Sequence, residues 1–189
     1  MKIGLYFGSF NPVHIGHCII ASHFAQNTEL DKVWLVVSPQ NPFKETTSLL
    51  NEYHRLHLAK LATEDETNLK ASDIEFHLPR PSYTIDTLTY LKEKHPGHQF
   101  SIILGSDGLQ NLHKWKNAAA LVKDHALFVY KRPGFEIVNP LNATMHIADA
   151  PLLEISSTHI REMIKKGKSV RYLVPDKVRE EIDLYHYYS

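Results

Sequence analysis

The chain has 189 residues, of which 21 are Lys or Arg and 21 are Asp or Glu, so its formal net charge is zero and a broad basic footprint for duplex nucleic acid is not expected. That length suits one domain, 1–189, able to bury roughly 70% of the surface of its unfolded chain. No stretch approaches the ~20 apolar residues of a membrane span, the first residues lack the regions of a secretory signal, and the one cysteine, Cys18, has no internal disulfide partner, which together point to a cytoplasmic protein with no membrane partner.

Residues 2–7 (KIGLYF) predict a short apolar strand, followed by a loop over 8–13 and a helix over 15–27. In that helix Ile15, Cys18, Ile19 and Ala25, with the small Ser22, fall at helical spacing as one stripe. Residues 32–38 (KVWLVVS) form a β-branched run suited to a strand buried on both faces, with Trp34 in the core. After Pro39 and Pro42 comes a helix near 49–63, with Leu49, Tyr53, Leu56 and Leu61 at helical spacing. LKASDIEF predicts a weaker strand, and Ser82 or Thr84 caps a helix over 84–95 that stops before Pro96–Gly97. Residues 100–105, 125–131 and 144–148 complete the strands, a Trp115-bearing helical segment lies between the first two, and helices close the chain near 157–167 and 175–185. Strands alternating with helices imply an α/β, Rossmann-like doubly wound parallel sheet. Ligands of such sheets sit at the carboxyl ends of the strands, so the residues after each strand matter most.

After the first strand stands GSFNPVHIGH, residues 8–17. Gly8 allows close approach of a phosphate to the backbone, and a helix start carries unpaired N–H groups and positive dipole character. His14 and His17 are three apart and share one face of the first turn, with Gly16 leaving room for a ribose or flat ring. A plain turn with two surface histidines is the ordinary alternative, and a metal site lacks a convincing third ligand nearby. Near the other end, Ser156, Ser157 and Thr158 open a helix with Arg161 one turn in, a second place for an anion, or simply a capped helix. His54 and His57 share a helix face at zinc-like spacing but also fit a solvated surface. Cys18 reads as a packing residue, and the closing Tyr185–Tyr188 stretch fits either the body of the domain or an interface.

The pattern Gly8-x-Phe10-x-Pro12-x-His14-x-Gly16-His17, joined to Ile155-Ser156-Ser157-Thr158-x-Ile160-Arg161, resembles the two signatures of the HIGH-motif nucleotidyltransferases. Ser82-Tyr83-Thr84-x-Asp86-Thr87-Leu88, Gly105-x-Asp107-x-Leu109 with Leu112-x-x-Trp115, and Arg132-Pro133-Gly134 are similar to segments of the bacterial nicotinate-nucleotide adenylyltransferases. The resemblance runs over nearly the whole chain. It departs in the loop after the second strand, commonly Pro-Pro-His-Lys and here Pro39-Gln40-Asn41-Pro42-Phe43-Lys44.

The resemblance implies transfer of the adenylyl group of ATP to nicotinate mononucleotide, releasing pyrophosphate. The attacking phosphate is already ionised, so neither a general base nor a covalent intermediate is expected, and catalysis rests on positioning and charge stabilisation. His14, His17 and Arg161 are implied as catalytic residues. Gly8, Phe10, Gly16, Gly105, Asp107, Arg132, Ser156, Ser157 and Thr158 are implied on the ATP side. Ser9, Lys44, Ser82, Tyr83, Thr84 and Trp115 are implied on the mononucleotide side, with Trp115 stacking on the pyridine. A Mg²⁺ ion would be held mainly by ATP oxygens and water, with no protein ligand set of its own. The helix start at Thr84 favours the acid over the amide, since N–H donors facing an amide NH₂ stay unpaired. Other HIGH-motif enzymes (phosphopantetheine or nicotinamide-nucleotide adenylyltransferases, or a tRNA synthetase fragment) and a non-catalytic nucleotide-binding module are the competing classes; monomer and homo-oligomer are equally open.

Overall fold

The computed structural model describes residues 1–40, 48–151 and 153–189. Six strands make one sheet: β1 (Lys2–Gly8), β2 (Lys32–Val37), β3 (Leu69–Ser72), β4 (Gln99–Gly105), β5 (Leu127–Tyr130) and β6 (Met145–Ala148). Their order is β3-β2-β1-β4-β5-β6 and every neighbouring pair is parallel. The order reverses between β1 and β4, which makes that crevice the switch point of a doubly wound sheet.

Alternation along the strands feeds two apolar layers. Tyr6, Val33, Leu35, Val37, Ile103 and Phe128 face one side. There they meet α1 (Ile15–Asn27), α2 (Glu52–Thr63), α6 (Ser157–Lys165) and α7 (Asp176–Tyr185) through residues such as Phe24, Leu58, Ile160 and Val178. Ile3, Leu5, Trp34, Val36, Ile102 and Val129 face the other. They pack on α3 (Thr84–Lys94), α4 (Ser106–Gln110) and α5 (Ala118–Asp124) through Leu88, Leu91, Leu109 and Leu121. Both faces of the central strands are covered, as their unbroken apolar runs require.

Several local expectations need correction. The core stripe of α1 is Gly16, Ile20, Ala21 and Phe24, whereas Ile15, Cys18, Ile19, Ser22 and Ala25 are only half-buried. Apolar residues surround this helix, so spacing alone selects the wrong face. In α2 the buried positions are Arg55, Leu56, Leu58, Ala59 and Thr63, while Tyr53 is exposed. The strand expected across LKASDIEF ends at Ser72, where the Ser72 hydroxyl accepts from Ile74 N–H and Asp73 C=O from Phe76 N–H; Ile74–His77 is a 3₁₀ turn. Trp115 lies just beyond a second 3₁₀ turn, Leu112–Lys114, and not within a helix. Neither Ser82 nor Thr84 caps α3: its N-cap is Tyr83, with no side-chain cap bond. Trp34 is buried, as expected. Cys18 packs on the first core layer, and burial pushes its thiol up to about 11.

Candidate active site

A cleft of about 530 Å³ opens over the carboxyl ends of β1, β2, β4 and β5. Its floor includes Tyr6 and Tyr130, whose hydroxyls lie 3.4 Å apart. Burial holds the Tyr6 phenol well above its ordinary range, so it is a neutral wall.

The loop after β1 is shaped around Phe10. Its φ of 45° lies in the left-handed region, a strained choice for an aromatic residue. Its buried ring stands edge-on to Tyr6 at 5.8 Å and to His17 at 5.0 Å. A Cβ on Gly8 would meet that ring at 2.9 to 3.1 Å, so glycine is needed there for the aromatic to fold back. At the start of α1 the rings of His14 and His17 stack 3.6 Å apart. His17 Nδ1 accepts from His14 N–H at 3.2 Å, which puts the proton of a neutral His17 ring on Nε2. Burial, aided by the positive Arg132, lowers the His14 pKa to about 4. Gly16 is buried, and a Cβ there would stand 3.1 Å from His14 Cε1 and Nδ1. The room that the sequence suggested for a ribose is therefore taken by the His14 ring, and Gly16 is not among the residues lining the cleft.

The start of α6 closes one side. Ser156 caps the helix, accepting from His159 N–H, while Ser157 Oγ donates to Pro12 C=O at 2.9 Å. Arg161 donates through Nη1 to Asn11 C=O at 2.8 Å and through Nη2 to Thr158 Oγ1 at 3.3 Å. The capped-helix reading thus holds for Ser156, and Ser157 and Arg161 additionally fasten α6 to the first loop. Beyond β4 and β5, Arg132 Nη1 reaches Asp107 Oδ2 at 3.2 Å, and Arg132 N–H donates to the buried Ser106 Oγ. Through this contact Asp107 organises its own neighbourhood.

At the opposite side of the cleft stand Ser9, Ser38, Ser82, Tyr83, Thr84 and Trp115. Ser82 Oγ donates to the buried carboxylate of Glu75 at 2.8 Å. Lys116 pairs with Asp86 at 2.9 Å and holds its ammonium over the Tyr83 ring. Beneath this end lies Arg55, fully buried in α2, which donates to the carbonyls of Leu50, Ser9, Ser38 and Pro39 at 2.6 to 3.1 Å.

The family model described as cytidylyltransferase-like matches residues 5–163. The "Probable nicotinate-nucleotide adenylyltransferase" of Flavobacterium psychrophilum is 52% identical over the full length of both chains. Its namesake from Bacteroides thetaiotaomicron is 44% identical, covering 98% of this chain and 92% of its own. The chain belongs to the nicotinate-nucleotide adenylyltransferase family. The fold agrees: a Plasmodium falciparum nicotinic acid mononucleotide adenylyltransferase, solved with NaAD, superposes with a TM-score of 0.83 at 22% identity, covering 99% of this chain and 97% of that one.

Of the residues implied as catalytic or substrate-binding, all line this cleft except Gly16, which supports His14 from behind, and Lys44, which is outside the described residues. Sequence reasoning missed Arg55, Glu75 and Lys116. Lys116 had a signal, being a charge next to Trp115. His54 and His57 are exposed and meet Tyr187 and Glu181 respectively. Tyr187 and Tyr188 pack on the first core layer, while Tyr185 is exposed. Among the described residues no helix is long and apolar enough to cross a membrane.

Proposed function

We propose that this cleft joins ATP and nicotinate mononucleotide, forming deamido-NAD and pyrophosphate. A mononucleotide phosphate oxygen attacks the α-phosphorus of ATP, and the bond to the pyrophosphate oxygen breaks. Supporting this is the convergence, on one cleft, of two helix starts, a stacked histidine pair and Arg161 at one side with a third helix start and Trp115 at the other. That convergence carries the assignment.

His14, His17, Arg161 and the amides at the start of α6 take the triphosphate and the charge that develops on its oxygens. Gly8, Phe10 and Gly16 shape the histidine pair; Gly105, Asp107 and Arg132 border the adenosine. Ser9 and Lys44 receive the mononucleotide phosphate, while Ser82, Tyr83 and Thr84 face the ring's carboxylate and Trp115 stacks on the ring. Among the described residues, the carboxylates lining the cleft are Glu75, engaged by hydroxyls, and Asp107, engaged by Arg132. Such a donor set suits a Mg²⁺ that arrives with ATP and keeps phosphate oxygens and water as its ligands. When bound, the ion neutralises triphosphate charge. We place the reaction in the cytoplasm, with no nucleic-acid or membrane partner, and treat 1–189 as one domain.

The test is a panel of mononucleotides with ATP, followed by pyrophosphate release. Two N–H donors left unpaired against an amide, at about 1–3 kcal/mol each, predict a preference for the acid of roughly 30-fold or more in kcat/KM. Parity, or preference for nicotinamide mononucleotide, would remove the nicotinate assignment; absence of pyrophosphate would remove adenylyl transfer.

A further inference from the structure

Glu75 has no part in the reaction just described, yet it lines the cleft at 2% exposure. A carboxylate in that position has lost nearly all its hydration, and burial raises its pKa. Hydroxyls replace the water. Ser82 Oγ donates to Oε2 at 2.8 Å and Thr87 Oγ1 to Oε1 at 3.0 Å, with the Ser38 side chain facing the same carboxylate. Ser82 and Thr87 flank the first turn of α3, whose N-cap is Tyr83, so one carboxylate grips that turn from both sides. The carbonyl of the same Ser38 accepts from Arg55 at 2.8 Å, and Arg55 also holds Ser9. Arg55 thus ties together the loops after β1 and β2, and Glu75 holds the start of α3 beside them. An apolar side chain would pack a 3₁₀ turn without the desolvation a carboxylate suffers. What the carboxylate adds is orientation.

We infer that Glu75 is a positioning residue for the pyridine mononucleotide: it engages the Ser82 and Thr87 hydroxyls and sets the first turn of α3, so that the turn's backbone N–H groups are the donors the substrate's carboxylate meets. This rests on the acid-selective adenylyl transfer proposed above. N–H groups at a helix start have no intrahelical partner, and they favour an anion. Glu75 itself touches no reacting atom. It acts through Ser82, Thr87 and the backbone between them.

The experiment compares wild type with Glu75→Gln, Ser82→Ala and Thr87→Val. It reads kcat and KM for ATP and for each mononucleotide, the acid-to-amide ratio of kcat/KM, and the thermal midpoint. Glutamine keeps the shape of Glu75 but replaces one acceptor with an NH₂, so one hydroxyl loses its partner. Expected for Glu75→Gln is a rise in KM for nicotinate mononucleotide of about tenfold, a KM for ATP within about twofold of wild type, and an acid-to-amide ratio reduced about fivefold or more. Ser82→Ala and Thr87→Val should move the ratio the same way by smaller factors. A lowered midpoint with unchanged KM values and ratio would mean a merely structural role and would overturn the inference, as would equal rises in KM for both substrates. Should Glu75→Gln fail to fold, the two hydroxyl variants decide: an unchanged ratio in both overturns it. Wild-type protein that releases no pyrophosphate with either mononucleotide would instead remove the activity on which the inference rests.

Discussion

Two histidines three residues apart sit in different surroundings. His17 accepts a backbone N–H, whereas His14 is 5% exposed and its pKa falls from 6.5 to about 4. Near neutrality the unliganded His14 is uncharged, and a triphosphate beside it would favour the protonated ring. The same depression has a consequence for folding. Between about 4 and 6.5 the unfolded chain binds a proton at this position that the folded chain does not, so stability rises with pH across that window. The contribution is complete above 6.5 and is lost as pH falls toward 4; a shift of that size corresponds to about 3 kcal/mol. His14→Asn should therefore show a flatter acid limb, with wild type losing about 3 kcal/mol more than the variant between pH 7 and pH 4 in urea titrations. Parallel curves would show that His14 titrates as an ordinary exposed histidine.

Elements were legible where one face meets one layer and obscure where loops converge. The strands β1, β2 and β4 stand close to where their apolar runs put them, because burial on both faces leaves little choice. The histidine pair was legible from spacing alone. Arg55 was not: an arginine within an amphipathic helix ordinarily carries its charge to water. Nothing local says that carbonyls from two separate loops will surround this one. Glu75 was hidden for a related reason, since its apolar neighbours Ile74 and Phe76 make a strand-like alternation that turn chemistry at Ser72 and Asp73 overrides. Arg55 ties the loops after β1 and β2 to the start of α2 and has no carboxylate within ion-pair distance among the described residues. Truncating it strands those carbonyls in a buried place, at a cost of about 3 kcal/mol or more. Arg55→Ala is expected to lower the thermal midpoint by roughly 6–12 °C, and Arg55→Lys by less, because an ammonium offers at most three donors. A midpoint within about 2 °C of wild type for the alanine variant would show that water replaces the guanidinium without loss.

Across the whole molecule, the cleft joins parts far apart in sequence. The first loop and α6 meet through Arg161 on Asn11 and Ser157 on Pro12, and Ile15 N–H donates to Leu173 C=O at 2.9 Å. Asn11 in turn binds Ser48 C=O and Leu50 N–H, so the same loop carries the chain leading into α2. Arg161 is therefore a fastener of the C-terminal segment as well as the proposed donor to triphosphate. Ser157 separates the two duties. Its hydroxyl is spent on Pro12 C=O, a neutral hydrogen bond of about 1 kcal/mol, so Ser157→Ala should lower the midpoint by roughly 2–4 °C and raise the KM for ATP by a few-fold at most. Arg161→Ala loses the fastening and a charged, fork-shaped donor together. It should show a comparable or larger fall in midpoint and a rise in KM for ATP of about tenfold or more, with the KM for the mononucleotide nearly unchanged. Steady-state kinetics on both variants, with ATP and the mononucleotide varied in turn, distinguish the duties. If the two substitutions raise the KM for ATP alike, the loss of the tie accounts for both, and Arg161 is a strut of the first loop instead of a phosphate ligand.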